Sequence, residues 1–145
     1  MDHVVIMKKE WELLPKIITG VKKVESRWYK LKTAPWNKVK KGDHLYFKDS
    51  GCPVSVKAKV SDIKPFLIEN NKHGLEIMQN YAFLDLGENK IPVSVRKYMY
   101  NKKYAIFVFF TDIEKIKPFE IDKTGYGIRS AWLCVKKIGS IKKLL

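Results

Sequence analysis

The sequence predicts an α+β domain built on a small mixed β-barrel of about five to six strands with flanking helices. Three observations carry that expectation. Short runs of strand character recur along the chain, some alternating and one apolar throughout. Stretches with apolar residues at helical spacing fall between them. No repeat, low-complexity tract or linker interrupts the 145 residues, a length that suits a single domain over residues 1–145.

Val4 to Met7 opens the fold as a short buried strand. Trp11, Leu14 and Ile18 then recur at helical spacing, with Leu13 and Ile17 widening the stripe, which predicts a helix over residues 9–19. Pro15 lacks an N–H and clashes one turn back, so this helix either kinks there or becomes regular only near Leu14. Gly20 sits where a helix-ending glycine belongs. Val21 to Tyr29 is the next strand, followed by a loop through Thr33-Ala34-Pro35-Trp36 and a turn at Lys41-Gly42-Asp43. Leu45 to Lys48 is a strand that ends at Asp49-Ser50-Gly51. Val54, Val56, Ala58 and Val60 alternate with Ser55, Lys57 and Lys59, the pattern of a strand with one buried and one basic face. Leu75 to Leu86 reads as a helix with Leu75, Met78, Tyr81 and Ala82 inward, and Pro92 can start another over Val93 to Asn101. Tyr104 to Phe110 is apolar on both faces and β-prone, which predicts a central strand. Ile128 to Val135 and Ile138 to Ile141 complete the set.

Lysine and arginine total 29 against 15 acidic residues, a net charge of +14. Such an excess favours a polyanionic partner, because cations on one face release counterions when they meet phosphates. A lysine-rich composition also serves solubility, so charge alone locates no site. The two cysteines, Cys52 and Cys134, and the three histidines, His3, His44 and His73, show no metal-ligand spacing. The expectation is no metal, no cofactor, no disulfide framework and a reducing cytoplasm. The start, Met1 to Ile6, lacks the regions of a signal peptide, and no apolar run approaches the ~18 residues of a membrane span.

The segment Gly20-Val21-Lys22-Lys23-Val24-Glu25-Ser26-Arg27 fits the pattern G-x-K-x-x-E-x-R. With the preceding helix, the Pro35-Trp36 loop, Lys40-Lys41-Gly42-Asp43, the strand carrying Tyr46-Phe47-Lys48, and Ser50-Gly51, it resembles the ASCH family, a branch of the PUA-like superfamily. Gly125-Tyr126-Gly127-Ile128-Arg129-Ser130-Ala131-Trp132 looks like that family's closing strand. The resemblance is strong over residues 3–63 and looser beyond. It implies a β-barrel whose cleft is lined by the signature residues. It also implies RNA binding, ribonuclease activity or, as in small bacterial members, hydrolysis of N4-acetylcytidine. In that last branch the motif lysine works with a threonine three residues later and a separate glutamate. Lys22 matches the lysine and Arg27 the motif arginine, but Glu25 stands where the threonine would be. Glu69 and Glu76 are candidates by region for the separate glutamate.

The residues themselves leave one geometric question open. On a regular strand Lys23, Glu25 and Arg27 share one face, while Lys22, Val24 and Ser26 share the other. Lys22 meets Glu25 only if it lies in the turn before regular pairing, or if a bulge shifts the parity. Arg27 can fork onto a phosphate or a carboxylate, and Lys22 can serve as a point charge. An ion-paired, solvated strand explains the same residues without any site.

Trp28, Tyr29 and Trp36 lie downstream of the motif, and Tyr126 and Trp132 lie in the closing segment. An aromatic beside cations is a platform for an unstacked base. Trp11 and Trp132 read as core, and Trp36 as either base platform or lid. Lys48, Ser50, Arg129 and Ser130 reach the same cleft if the barrel closes. The binding set is therefore Lys22, Glu25, Arg27, Trp36, Lys48, Ser50, Arg129 and Ser130. The expected partner is RNA or a nucleotide, single-stranded rather than duplex, with no membrane. The alternatives are a metal-independent hydrolase using Lys22 and Glu25, assisted by Ser130 or Tyr126, and a groove for a protein partner.

Overall fold

The computed structural model describes residues 1–127 and 129–143, and its strands form one mixed sheet. In chain order these are β1 (Asp2–Met7), β2 (Val24–Tyr29), β3 (His44–Asp49), β4 (Val54–Leu67), β5 (Tyr104–Phe119) and β6 (Trp132–Val135). The order across the sheet is β2-β5-β4-β3-β1-β6, with β1 parallel to β3 and every other pairing antiparallel. The sheet curls into a half-barrel, which brings the free edge of β2 to face β1 and the start of β6. This is the expected α+β architecture. Its seam is not closed by strand pairing.

The helices are α1 (Leu13–Ile18), α2 (Asn71–Leu86) and α3 (Val93–Met99). None is long and apolar enough to cross a membrane. The first is shorter than the expected span because Glu12 takes a left-handed conformation (φ 52°) and separates it from a single 3-10 turn over Lys9–Trp11. Pro15 then falls in the first turn, where a missing N–H costs nothing. The side chain of Asn70 accepts the His73 N–H at 2.8 Å and starts α2. Gly87 ends it at φ 73°, its N–H on the Phe83 carbonyl.

The principal core fills the concave side, where Val24, Trp28, Leu45, Phe47, Val56, Met78, Ala82 and Phe107 are buried. A second cluster of Val4, Tyr46, Val54, Ile121, Leu133, Val135 and Ile141 covers the opposite face. Both faces of residues 105–108 are buried, as expected for a central strand. The strands β4 and β5 run well past Val60 and Phe110, as a long antiparallel pair with three register shifts. On β4 the shift between Val60 and Asp62 breaks the two-residue alternation where the expected strand ends, and the other two add residues to β5 beyond Phe110. The closing strand covers only Trp132–Val135; Ile128 of the expected span lies outside the described residues. Ile138–Ile141 is a 3-10 turn.

Phe107 is fully buried, with ring centroids of Tyr81 at 4.8 Å, Phe66 at 5.6 Å and Trp28 at 5.9 Å. Phe107→Ala removes a ring at the junction of β5, α2 and β2, and should cost about 3–5 kcal/mol. Urea titration should show a lowered midpoint with an unchanged slope.

Candidate functional site

The turn between α1 and β2 is held by backbone bonds before any side chain acts. The N–H of Gly20 donates to Ile17, that of Lys22 to Lys16 and that of Lys23 to Leu84, at 2.8–3.0 Å. Lys22 therefore lies before regular pairing, which begins at Val24. The strand-parity question is resolved by the turn and not by a bulge. From there the Lys22 side chain runs inward and is 0% exposed.

Its Nζ donates to the carbonyls of Val24 and Asp85, both at 2.7 Å, contacts Glu25 Oε1 at 2.9 Å, and pairs with Asp85 Oδ1. Lys16 Nζ likewise donates to the Leu86 carbonyl at 2.6 Å, so two cations sit at the C-terminal end of α2. Unpaired carbonyls and the helix dipole make that end negative. Glu25 Oε2 accepts from Arg27 Nε at 2.7 Å. Ser26 Oγ donates to Asp85 Oδ2 and accepts from Trp28 Nε1 at 3.1 Å. Arg27 then reaches across the seam: Nη2 donates to the Ile6 carbonyl at 2.9 Å and Nη1 to the Ala131 carbonyl at 3.1 Å. Its guanidinium lies 5.4 Å from the centroid of Trp132.

The protonation preferences follow. Burial opposes the charge on Lys22, but the carboxylates of Asp85 and Glu25 outweigh it and hold the ammonium's pKa above the usual value. Burial would raise Glu25, yet Lys22 and Arg27 together hold it below the carboxylate range. Burial, reinforced by Glu25, pushes Asp85 up against the pull of Lys22 and Ser26. Glu25 is thus the firmly ionised acid of the cluster.

Beside the network the seam leaves a cavity of about 290 Å³. Glu25 and Arg27 lie on its floor, and Trp11, Trp28, Tyr98 and Trp132 form walls. Tyr98 Oη accepts the Trp28 N–H at 2.9 Å, a donor that the edge of β2 would otherwise leave unpaired. Burial raises the pKa of both Tyr98 and Tyr29, so both hydroxyls stay protonated. The Trp132 indole N–H donates to His3 Nδ1 at 3.0 Å, while His3 Nε2 contacts Asp43 Oδ2 at 2.8 Å. Because an indole nitrogen only donates, Nδ1 must be the acceptor, and His3 is neutral with its proton on Nε2.

The structure brings together part of the expected set. Glu25, Arg27, Arg129 and Ser130 line the cavity, with Arg129 exposed. Lys22 lies behind its floor, because the α2 C-terminus and Glu25 take up its donors. Trp36 stacks edge-on against Tyr104 at 5.3 Å, outside the cavity. Lys48 shares the face of Tyr46, so strand alternation turns it away from the main core. Ser50 is exposed in the turn after β3, its N–H on the Met7 carbonyl. Tyr126 packs on the second cluster. Ser130 Oγ donates to the Trp132 carbonyl at 3.3 Å and not toward Lys22. Glu69 and Glu76 are exposed; the acid that meets Lys22 besides Glu25 is Asp85, which the sequence reading missed. One signal was available: Asp85 lies three residues beyond Ala82 and seven beyond Met78, on the inward stripe of α2. Among the described residues no cluster of three His, Cys, Asp or Glu side chains could hold a metal ion.

Two measurements check this electrostatic account. Lys22→Met leaves Asp85 buried without its cation and should cost about 3–5 kcal/mol. Adding Asp85→Leu should recover much of that loss, which a double-mutant cycle in urea would read. For His3, burial outweighs the Asp43 contact and lowers the pKa below 6.5. Above that value the ring is neutral in both states; below it only the unfolded chain takes up the proton, so stability falls as pH drops from 6.5. His3→Gln should flatten the pH dependence of the urea midpoint just below 6.5; an unchanged slope would refute the assignment.

No protein-family model and no curated protein matches the sequence. Solved structures do match in three dimensions. The crystal structure of ASCH from Zymomonas mobilis superposes with a TM-score of 0.67 at 14% identity, covering 98% of this chain and 96% of that one. A serine-to-alanine mutant of the same protein gives 0.69 at 14% identity, over 96% and 91% of the two chains. A tyrosine-to-phenylalanine mutant gives 0.68, also at 14%, over 96% and 93%. Sharing the half-barrel over nearly its whole length, the chain has the fold of an ASCH domain.

Proposed function

We propose that the seam cavity binds one nucleobase with its sugar, taken from a free nucleotide or from a single-stranded RNA. The observation that carries this reading is the pairing of aromatic walls with an ionised Glu25–Arg27 floor in a space of about 290 Å³. That volume is at the lower end of small-molecule sites and suits one nucleoside better than a folded strand. Trp11 and Tyr98, both partly exposed, offer the stacking surfaces that unpaired bases use, and the buried Trp28 and Trp132 back them. The floor supplies complementary polar groups. Each Glu25 oxygen meets one cation and keeps a lone pair. Arg27 has five N–H groups, and its hydrogen bonds to described residues leave one on Nη1. A carboxylate beside an N–H matches a base edge with an amino group next to a ring acceptor, as in cytosine or adenine.

Binding is favoured over hydrolysis because Lys22 is sealed and fully paired, with its pKa raised. A lysine serving as base or nucleophile needs the opposite shift and an open approach.

Titration of tryptophan fluorescence with nucleosides tests the reading, since three of the four tryptophans wall the cavity. Cytidine and adenosine should quench saturably and bind more tightly than uridine. Trp11→Ala should weaken both by about 1–3 kcal/mol, the worth of a stacked base. Absence of saturable quenching by any nucleoside would defeat the proposal.

A further inference from the structure

Three lysines gather at one side of the cavity mouth. Lys8 lines the cavity and holds its ammonium 4.7 Å from the Trp11 centroid and 5.7 Å from that of Tyr98. Lys102 places its ammonium 5.3 Å from the same Tyr98 ring. Lys30 follows Tyr29, a cavity residue, and the N–H of Lys103 donates to the Tyr29 carbonyl at 2.9 Å, tying the two loops together. The three cations thus come from the end of β1, the end of β2 and the loop before β5. Among the described residues none of them pairs with a carboxylate, whereas Lys41 reaches Asp62 and Lys22 reaches two acids.

From this convergence we infer an anion subsite formed by Lys8, Lys30 and Lys102, which takes a phosphate of the nucleotide whose base enters the cavity. The inference rests on the base-binding reading of the cavity and specifies the ligand class further: a phosphorylated nucleoside or a phosphodiester strand, not a free nucleoside.

Chemistry at the two ends of the cavity supports the division. The floor is an ion-paired network in which Glu25 and Arg27 already neutralise each other, so it offers hydrogen bonds without net attraction for a phosphate. The rim is the reverse, with positive charge and no carboxylate contact. Partial burial together with the nearby Lys30 and Lys8 lowers the pKa of Lys102, the mark of like charges held close without a counterion. The ring of Tyr98 is shared by the two ammoniums, which keeps both charged heads beside the cavity. The late segment offers Arg129, exposed at the cavity lining, from another direction.

The test compares cytidine, cytidine monophosphate and a short oligocytidylate at low salt. The proteins are the native chain, a Lys8→Gln/Lys30→Gln/Lys102→Gln variant, and a control with the same charge change on another face, Lys57→Gln/Lys59→Gln/Lys136→Gln. The readout is the ratio of phosphorylated to unphosphorylated affinity within each protein, so a general loss of folding cancels. In the native chain and the control, at least one phosphorylated probe should bind about tenfold or more tightly than cytidine, the scale of a charge-assisted contact. The ratio should fall toward unity in the rim variant. A gain confined to the oligomer identifies a strand phosphodiester as the source, and a gain with the monophosphate a terminal phosphate. If cytidine binds but neither phosphorylated probe gains, or if the gain survives in the rim variant, the subsite is refuted while the cavity reading stands. If no probe binds at all, both fall together.

Discussion

A curled sheet whose two edges approach without pairing leaves a row of backbone groups in search of partners. In this protein the gap is bridged by one guanidinium. Arg27 projects from β2 and donates to the carbonyls of Ile6 and Ala131 on the other side, so a side chain stands where a neighbouring strand would be. The planar fork suits the task because its two terminal nitrogens can meet two acceptors at once while Nε faces Glu25. A lysine would reach one acceptor as a point charge. Its reach spans the seam beside the cavity.

The arginine is aimed by a chain of charges that begins at a helix end. The last carbonyls of α2 attract Lys22, which orients Glu25, which in turn orients Arg27. Four buried ionic groups would be costly if any were left unpaired. Here two cations meet two carboxylates, and Ser26 satisfies a further oxygen of Asp85. Burial of such a cluster gives little net stability compared with an apolar core of the same volume. Its consequence is position: α2, the α1–β2 turn, β2 and the β1–β6 edge are held in one arrangement. The same aim from the other wall comes through Asp43, His3 and Trp132.

How much of this was legible in the sequence depended on whether a pattern survived in one dimension. The Gly20–Arg27 segment was recognisable, because a helix-ending glycine and a strand with alternating charge leave local marks. The direction of Lys22 was not, since it depends on the Lys22 N–H finding Lys16 and on α2 arriving from 63 residues away at Asp85. Asp85 carries no local mark of its own in the sequence beyond its place on the stripe of Met78 and Ala82. The extension of β4 and β5 was hidden by register shifts. Lys48 and Ser50 were expected at the cleft on the condition that the barrel closes around it, but strand alternation sends Lys48 to the other face. Trp36 found Tyr104 instead of solvent. Conversely, the lysines at the rim could not be told from the other basic pairs, because nothing local marks three lysines as neighbours when they come from three separate loops.

The exchange at position 25 has a consequence that ties the network to its chemistry. A threonine, which the amidohydrolase branch of the resembled family carries at this position, has a neutral side chain. Here Glu25 supplies a second carboxylate beside Asp85, and Lys22 is held between two negative charges with its pKa raised. Each carboxylate favours the protonated amine, and the reactive form of a lysine is the unprotonated one. The carboxylate that contacts Lys22 is also the one that aligns Arg27, since its two oxygens face the two cations. A threonine hydroxyl would present one neutral oxygen in place of those two charged ones. Glu25 therefore joins the lysine at the end of α2 to the arginine that crosses the seam, and one residue ties the α1–β2 turn to the cleft.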